Sequence, residues 1–218
     1  MRVVIAGAHG QIAMRLIPLL AERGDRVIGL IRNPAHADEV REARAEPVVL
    51  DMEQANAAEI AAALAGADAA VFAAGAGPGS GAERKLTVDR DGAIKLLRAV
   101  EQAGVGRYVV ISAVGAESPP DGDDVFSVYL RAKAEADEAV MAAELDWVIL
   151  RPGGLTDDPA TGCARIDATP FRGRVARADV AGVVAALLDE PRAARRVLYV
   201  NGGEQPIAEA IEAVLTAP

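Results

Sequence analysis

The chain has 218 residues, and 51% of them are hydrophobic, so it can bury the core of a folded domain. The net charge of −9 and the aromatic content of 3% argue against a nucleic-acid partner, because an acidic surface repels phosphates and bases stack on aromatic rings. One cysteine, Cys163, forms no disulfide within the chain, and no apolar run is long enough to cross a membrane. With a strand predicted from Arg2 and no leader before it, we expect a cytoplasmic protein without a membrane partner.

Short β-branched runs alternate along the chain with longer segments rich in Ala and Leu, and most of the runs are apolar at consecutive positions. That pattern is typical of parallel strands covered on both faces. The predicted strands are Arg2–Ala6, Arg26–Ile31, Pro47–Leu50, Ala69–Phe72, Arg107–Ile111, Trp147–Leu150 and Val197–Val200. The predicted helices lie near Gln11–Glu22, Ala55–Leu64, Arg84–Ala103, Val125–Ala143 and Ala178–Leu188.

The alternation continues without a linker, so we expect a single α/β domain over residues 1–218, with a Rossmann-type doubly wound parallel sheet and a small C-terminal region of substrate loops. Three loops are predicted at or near the carboxyl ends of strands, namely Gly75–Gly81, Ser118–Asp124 and Gly153–Gly162. Sheets of this kind bind their ligands at that edge.

A glycine-rich turn follows the first strand. Gly7 comes directly after the strand, Gly10 lies three residues further on, and a helix is expected from about Gln11. Glycine lets a phosphate approach the backbone, and the N–H groups at the start of a helix hold the anion. Ala13 takes the third position of the pattern, where a small side chain suffices. An ordinary strand-to-helix turn is the alternative. His9 is expected to face solvent or phosphate, and to be neither a catalyst nor a metal ligand.

The second strand ends without a carboxylate, in the order Leu-Ile-Arg32-Asn33-Pro. An acidic residue there would hold the ribose 2′-hydroxyl of NAD, whereas Arg32 can bind the 2′-phosphate of NADP, so the sequence favours NADP over NAD. Asp51, just after the third strand, is a candidate contact to the adenine amino group. Its alternative role is the N-cap of a helix starting near Gln54.

Tyr129 is followed four residues later by Lys133, which places both on one face of a predicted helix. The chain has three tyrosines and three lysines, so chance rarely produces such a pair. A nearby ammonium is expected to lower the pKa of the phenol, so that Tyr129 exchanges protons near neutral pH while Lys133 also holds the nicotinamide ribose. A half-buried Tyr beside a solvated Lys is the alternative.

These motifs resemble those of the atypical short-chain dehydrogenases/reductases, of the small NAD(P)H-binding, NmrA-like and YwnB-like kind. The resemblance extends over nearly the whole chain. It is carried by residues 7–13, 32–34, Asp51, 72–75, 88–93, 110–112, Tyr129 with Lys133, 151–153 and 201–203. It implies that Ala73, Ala74 and Gly75 line the adenosine and ribose side, and that Pro152, Gly153 and Leu155 contact the nicotinamide amide.

The sequence departs from the family pattern at two positions. Relatives often carry two serines after the fifth strand, and only Ser112 remains here, so it serves either as a hydrogen-bond donor to the substrate or as a cofactor contact. Many relatives carry an asparagine where this chain has Asp89, so a proton relay through that position would depart from the family pattern. The residues expected to contact the cofactor are Gly7, His9, Gly10, Gln11, Ile12, Arg32, Asn33, Asp51, Met52, Ala73, Ala74, Gly75, Ser112, Tyr129, Lys133, Pro152, Gly153 and Leu155.

The predicted function is an NADP-dependent oxidoreductase that transfers a hydride to or from a small carbonyl-like substrate, with Tyr129 as general acid/base, Lys133 as its partner and Ser112 orienting the substrate oxygen. The short stretch after Arg151 leaves little room for a nucleotide-sugar site. Two alternatives remain: an NADP(H)-binding redox sensor without chemistry, and an NAD(P)-dependent sugar epimerase. Two histidines without paired spacing predict no metal site, and the oligomeric state is left open.

Overall fold

The computed structural model describes residues 1–77 and 79–217. Its strands are β1 (Arg2–Ala6), β2 (Arg26–Ile31), β3 (Glu46–Val49), β4 (Ala69–Phe72), β5 (Arg107–Ile111), β6 (Asp146–Pro152), β7 (Gly154–Thr156), β8 (Cys163–Asp167), β9 (Arg174–Ala176) and β10 (Arg196–Pro206). Within these described ranges, eight strands form one sheet in the order β3-β2-β1-β4-β5-β6-β10-β8, and β7 and β9 form a separate parallel pair. All seven predicted strands are confirmed: β1, β2, β4 and β5 have the predicted bounds, and the bounds of β3, β6 and β10 differ.

The helices are α1 (Ala13–Glu22), α2 (Ala37–Glu42), α3 (Ala57–Ala63), α4 (Ala82–Arg84), α5 (Asp91–Ala103), α6 (Val125–Met141), α7 (Arg177–Leu188) and α8 (Ile207–Thr216). A π-helical segment, Lys85–Arg90, interrupts the predicted helix Arg84–Ala103. Two helices, α2 and α8, were not among the predicted ones. The first turn of α3 begins later than predicted because Asn56 and Glu59 form a capping box there.

The main sheet has an edge strand, β8, that the sequence pattern did not predict. The main-sheet strands β1 to β6 and β10 pair in parallel, but β8 runs antiparallel to β10. β8 buries Ala164 and Ile166 and exposes Arg165 between them, and such alternation suits an edge strand with one covered face. Cys163 therefore begins a strand and does not lie in a loop, and the predicted loop Gly153–Gly162 contains β7. Pro78, within the predicted loop Gly75–Gly81, lies outside the described residues.

The core lies in two layers, one on each face of the sheet. Along β1, Val3 and Ile5 pack into one layer, and Val4 and Ala6 pack into the other, as the two-residue period of a strand requires. The strands are thus covered on both sides, which leaves the carboxyl edge of the sheet as the place where loops surround open space. Among the described residues, no helix is both long and apolar enough to cross a lipid bilayer.

Candidate functional site

Two clefts open at the carboxyl edge of the sheet. The first has a volume of about 290 Å³ and lies against the glycine turn and the ends of β2, β3 and β4. The second has a volume of about 490 Å³ and lies between the segment after β4 and helix α6. Both are lined by Ala73, Ala74 and Gly75, so the two clefts adjoin each other at the segment that follows β4. A long ligand can therefore lie across this edge with one end in each cleft.

The glycine turn lines the first cleft, and its shape depends on Gly7. This residue has a φ of +79°, and a Cβ atom on it would lie 2.5 Å from the Cα atom of Ala74. The N–H of Gly10 donates to the Gly7 carbonyl over 2.8 Å, and α1 begins at Ala13, two residues later than predicted. Glycine at position 7 is therefore needed both for the left-handed backbone and for the close approach of the next loop.

Two other residues of this turn lie away from the cleft lining. Gln11 is exposed, and Ile12 packs against the core cluster that contains α1. Contact between the cofactor and these two residues stays a prediction. His9 does line the first cleft, where its ring stacks on His36 at 3.6 Å between centroids and its Nε2 lies 3.0 Å from a carboxylate oxygen of Glu39.

Arg32 lies in the first cleft at the end of β2, and its partner there is Glu53. The Arg32 guanidinium is 3.3 Å from the Glu53 carboxylate, which also accepts hydrogen bonds from Arg84 over 2.8 Å and from the Thr87 hydroxyl over 2.7 Å. Burial alone would raise the pKa of Glu53, but the bonds from Arg84 and Thr87 and the charges of Arg84 and Arg32 hold that pKa below its usual value. The sequence pattern gave no indication of Glu53 or Arg84, which reach the cleft from different segments.

Asp51 and Met52 line the first cleft where the sequence placed an adenine contact. One carboxylate oxygen of Asp51 accepts the backbone N–H of Glu53 over 2.9 Å. The alternative role of Asp51 as a helix N-cap is wrong, because Asn56 caps α3. Asn33 also lines the cleft, but its amide oxygen accepts the Ala35 N–H over 3.0 Å and so shapes the turn after β2.

Tyr129 and Lys133 both line the second cleft, on one face of α6. The Lys133 ammonium is buried and lies 5.9 Å from the centre of the Tyr129 ring. It donates to the Ile111 carbonyl over 3.1 Å and lies 3.3 Å from a carboxylate oxygen of Asp89, which the π-helical segment carries. The other Asp89 oxygen accepts the N–H of Ala76 over 3.1 Å. Asp89 therefore fixes both the ammonium and the loop after β4, and Lys133 is not a solvated neighbour.

The pKa of Tyr129 departs from the sequence-based expectation. Burial raises this pKa, the Lys133 ammonium lowers it, and the carboxylates of Asp89 and Asp137 raise it further, so the net change is upward. The predicted net lowering of the pKa is wrong for this structure, because burial outweighs the ammonium. Burial would lower the pKa of Lys133, but Tyr129, Asp89 and Asp137 together raise it. The pair is therefore a neutral phenol beside a stable ammonium.

Ser112 also lines the second cleft, and its hydroxyl donates to a carboxylate oxygen of Asp137 over 2.8 Å. That same oxygen accepts from the Arg151 guanidinium over 3.0 and 2.9 Å, and Arg151 donates to the Tyr199 hydroxyl over 2.7 Å. Burial raises the pKa of Asp137, against the opposing effects of Arg151 and Ser112. The Ser112 proton is thus directed at Asp137, and what the hydroxyl offers to the cleft is its oxygen as an acceptor.

Comparison with known proteins identifies the family. Residues 7–191 match the family model described as NAD(P)H-binding. The chain belongs to this NAD(P)H-binding family. It is 37% identical over 213 residues to the uncharacterized sugar epimerase YhfK of Bacillus subtilis, an alignment that covers 97% of this chain and 99% of that one.

Two solved structures resemble this NAD(P)H-binding protein closely. A Bacillus halodurans protein described as an NAD-dependent epimerase/dehydratase superposes with a TM-score of 0.91 at 34% identity, covering 98% of this chain and 99% of that chain. The oxidoreductase ylbE of Lactococcus lactis superposes with a TM-score of 0.89 at 28% identity, covering 100% and 98%. The predicted atypical short-chain dehydrogenase/reductase type, the Rossmann-like fold and the class of NAD(P)-dependent oxidoreductase are confirmed at this level.

The residues of the first cleft fit the cofactor of the NAD(P)H-binding family. A glycine turn that leads into a helix start can hold a pyrophosphate, and two guanidinium groups stand where the fold places the adenosine ribose. At the other end, Leu155 lines the second cleft. Pro152 is buried at the end of β6, and a Cβ on Gly153 would meet the amide oxygen of Asn201. Contact of Pro152 and Gly153 with a nicotinamide amide stays a prediction.

Proposed function

We propose that this protein is an NADP-dependent oxidoreductase that reduces a small carbonyl compound. The observation that carries the proposal is that two clefts adjoin each other at Ala73–Gly75, with the glycine turn in one and the Tyr129–Lys133 pair in the other. In a doubly wound sheet, a dinucleotide lies along this edge with its adenosine and nicotinamide on opposite sides of the first strand. The choice of NADP is supported by Arg32 and Arg84, which supply two cations at the ribose end.

The proposed roles of the side chains follow from their protonation. NADPH, when bound, supplies the hydride that adds to the carbonyl carbon. Tyr129, kept as a neutral phenol by burial, donates its proton to the carbonyl oxygen as the C=O π bond breaks. The Lys133 ammonium, held by Asp89 and the Ile111 carbonyl, stabilises the phenolate that remains until solvent returns the proton. Ser112 accepts a hydrogen bond from the new hydroxyl, since its own proton is directed at Asp137.

The lining of the second cleft bears on the substrate. Its walls include the apolar side chains of Ile111, Val125, Phe126 and Leu155, with Lys85 as a further cation. Burial of apolar surface is the main source of affinity available there. We therefore propose a small, largely apolar aldehyde or ketone as the substrate.

The test is NADPH oxidation measured with a panel of apolar aldehydes and ketones, using wild type, Tyr129→Phe and Tyr108→Phe. Tyr108 is the matched control, because its buried hydroxyl donates to the Ala93 carbonyl away from both clefts. Tyr129→Phe is expected to lose about 10²- to 10⁴-fold in kcat/KM while its Kd for NADPH stays within about twofold. Tyr108→Phe should keep its activity. If wild type binds NADPH but oxidises none of it across the panel, the reductase is excluded, and two functions remain: a cofactor-binding sensor and an epimerase that recycles its cofactor.

One observation favours a second candidate, a sugar epimerase that recycles its cofactor. The 37%-identical relative YhfK is named as a sugar epimerase. The apolar walls of the second cleft disfavour a polyhydroxylated substrate. Epimerisation would show as nicotinamide retained through purification, with substrate inversion and no net consumption of NADPH.

A further inference from the structure

We propose that Glu53 sets how strongly this protein discriminates between NADP and NAD, by competing with a 2′-phosphate for Arg32 and Arg84. The inference rests on the proposed function in that it assumes a dinucleotide with its adenosine ribose in the first cleft. Arg32 alone, read from the sequence, predicts a simple preference for NADP. The tertiary structure adds an acidic group to the same place.

The position of Glu53 is fixed from several sides. Its backbone N–H donates to Asp51, and its carbonyl accepts from the Lys95 ammonium over 3.0 Å. Its carboxylate is held by Arg84, Thr87 and Arg32, and the side chain is only 18% exposed. The residue nevertheless lines the first cleft, together with Arg32 and Arg84. Glu53 is therefore an anion held in place beside the expected site of the ribose.

The charges around Glu53 give opposite effects on the two cofactors. The cluster of Arg32, Arg84 and Glu53 joins two guanidinium groups to one carboxylate, so these three side chains carry a net charge of +1. A 2′-phosphate would have to share both arginines with Glu53, and the two anions would repel each other at short range. A 2′-hydroxyl would meet no such repulsion, and the carboxylate could accept a hydrogen bond from it. Glu53 therefore weakens NADP binding and strengthens NAD binding, so the preference for NADP is expected to be smaller than the two arginines alone would give.

A purely structural role for Glu53 makes a different prediction. The Glu53 carboxylate also ties the loop after β3 to α4 and the π-helical segment, through Arg84 and Thr87. If holding this loop were the whole contribution of Glu53, removing the charge of Glu53 would loosen the loop and raise the Kd values for both cofactors by the same factor. Effects of opposite sign on the two cofactors cannot arise in this way, so they identify discrimination.

The experiment is a fluorescence titration of wild type, Glu53→Gln and Arg84→Met with NADPH and with NADH. Glu53→Gln keeps the size of the side chain and can still accept from Thr87. Glu53→Gln is expected to lower the Kd for NADPH by about tenfold, because the repulsion between the 2′-phosphate and the side chain is reduced. It is expected to raise the Kd for NADH, because a neutral amide accepts a hydrogen bond from the 2′-hydroxyl less strongly than a carboxylate does. Arg84→Met is expected to raise the Kd for NADPH and to leave the Kd for NADH unchanged. Glu46→Gln is the matched control, since Glu46 also pairs with an arginine, Arg26, and belongs to neither cleft.

Three results would overturn the inference: equal changes for both cofactors in Glu53→Gln, weaker NADPH binding in that variant, or no change at all. Each of these leaves the proposed function standing, because wild type still binds NADPH. The proposed function fails separately, if wild type binds neither cofactor or shows no turnover with either. Melting temperatures of all variants, measured without cofactor, show whether a general loss of fold contributes.

Discussion

Ser112 donates its hydroxyl proton to Asp137 over 2.8 Å, inside a buried carboxylate–guanidinium pair that Asp137 forms with Arg151. The proton of Ser112 is therefore engaged within the protein, although its oxygen lines the second cleft. A hydroxyl in this state accepts hydrogen bonds from a ligand more readily than it donates them. Ser112 is therefore expected to accept a hydrogen bond from the ligand, whereas Tyr129 is expected to donate a proton.

Ser112→Ala is expected to reduce kcat/KM for carbonyl reduction by less than about tenfold, far below the loss for Tyr129→Phe, because no donor to the substrate is removed. Steady-state NADPH oxidation measures this, with the exposed Ser118→Ala as the control. A loss as large as that of Tyr129→Phe would mean that Ser112 turns away from Asp137 and donates to the substrate during the reaction.

Lys133 and Asp89 form a buried pair, and we expect them to be energetically coupled. Lys133→Met should lower the free energy of unfolding by about 3–5 kcal/mol, because it leaves the Asp89 carboxylate buried without its counter-charge. Adding Asp89→Asn should restore most of that loss without restoring activity. Urea unfolding and turnover of the two variants provide the measurements. A double variant no more stable than Lys133→Met would show that the pair contributes little.

Arg32→Ala is expected to raise the Kd for NADPH by about tenfold while leaving the Kd for NADH within about twofold, because a guanidinium binds phosphate by charge-assisted hydrogen bonds. Arg26→Ala serves as the control, since Arg26 begins the strand that Arg32 follows and pairs with Glu46 over 2.7 Å. Fluorescence titration gives both constants. If both cofactors weaken together in Arg32→Ala, the residue supports the cleft and does not recognise the 2′-phosphate.

The raised pKa of Tyr129 predicts how the rate depends on pH. A raised pKa keeps the phenol protonated through neutral pH, so carbonyl reduction, which needs the acid form, should be flat through neutral pH and should fall only above the ordinary pKa of tyrosine, about 10. Alcohol oxidation needs the phenolate and should rise with pH where reduction is flat. Rate–pH profiles in both directions test this. A fall in the reduction rate beginning near neutral pH would indicate that the phenol ionises much more easily than its burial implies.

Gly7→Ala is expected to destabilise the fold and abolish cofactor binding. The new methyl group would lie 2.5 Å from the Cα atom of Ala74, and its φ of +79° is unfavourable for alanine by about 1 kcal/mol. Gly24→Ala shares the backbone penalty, with a φ of +93°, but a Cβ there has open space. The difference in unfolding free energy between the two variants isolates the contact with Ala74. Equal losses would show that the loop after β4 moves away easily.

Local sequence determined much of this protein. Apolar runs such as Val3–Ala6 specified strands covered on both faces, and Gly7 with Gly10 specified the turn that follows, because each pattern acts over a few residues. Tyr129 and Lys133 share a face for the same reason, since the period of a helix places residues four apart side by side.

The tertiary structure determined which side chains these groups contact. Lys133 reaches Asp89 because α6 packs beside the π-helical segment. Glu53 contacts Arg32 and Arg84 because the residues after β2, the residues after β3 and helix α4 all line the first cleft. Burial, which is set by the packing of whole elements, reversed the expected shift in the pKa of Tyr129. The direction of the Ser112 proton and the antiparallel edge strand β8 likewise depend on partners distant in sequence. Local pattern placed groups such as Gly7 and Tyr129 at this edge, whereas long-range packing added Glu53 and Arg84 and determined the partners and the protonation on which the chemistry depends.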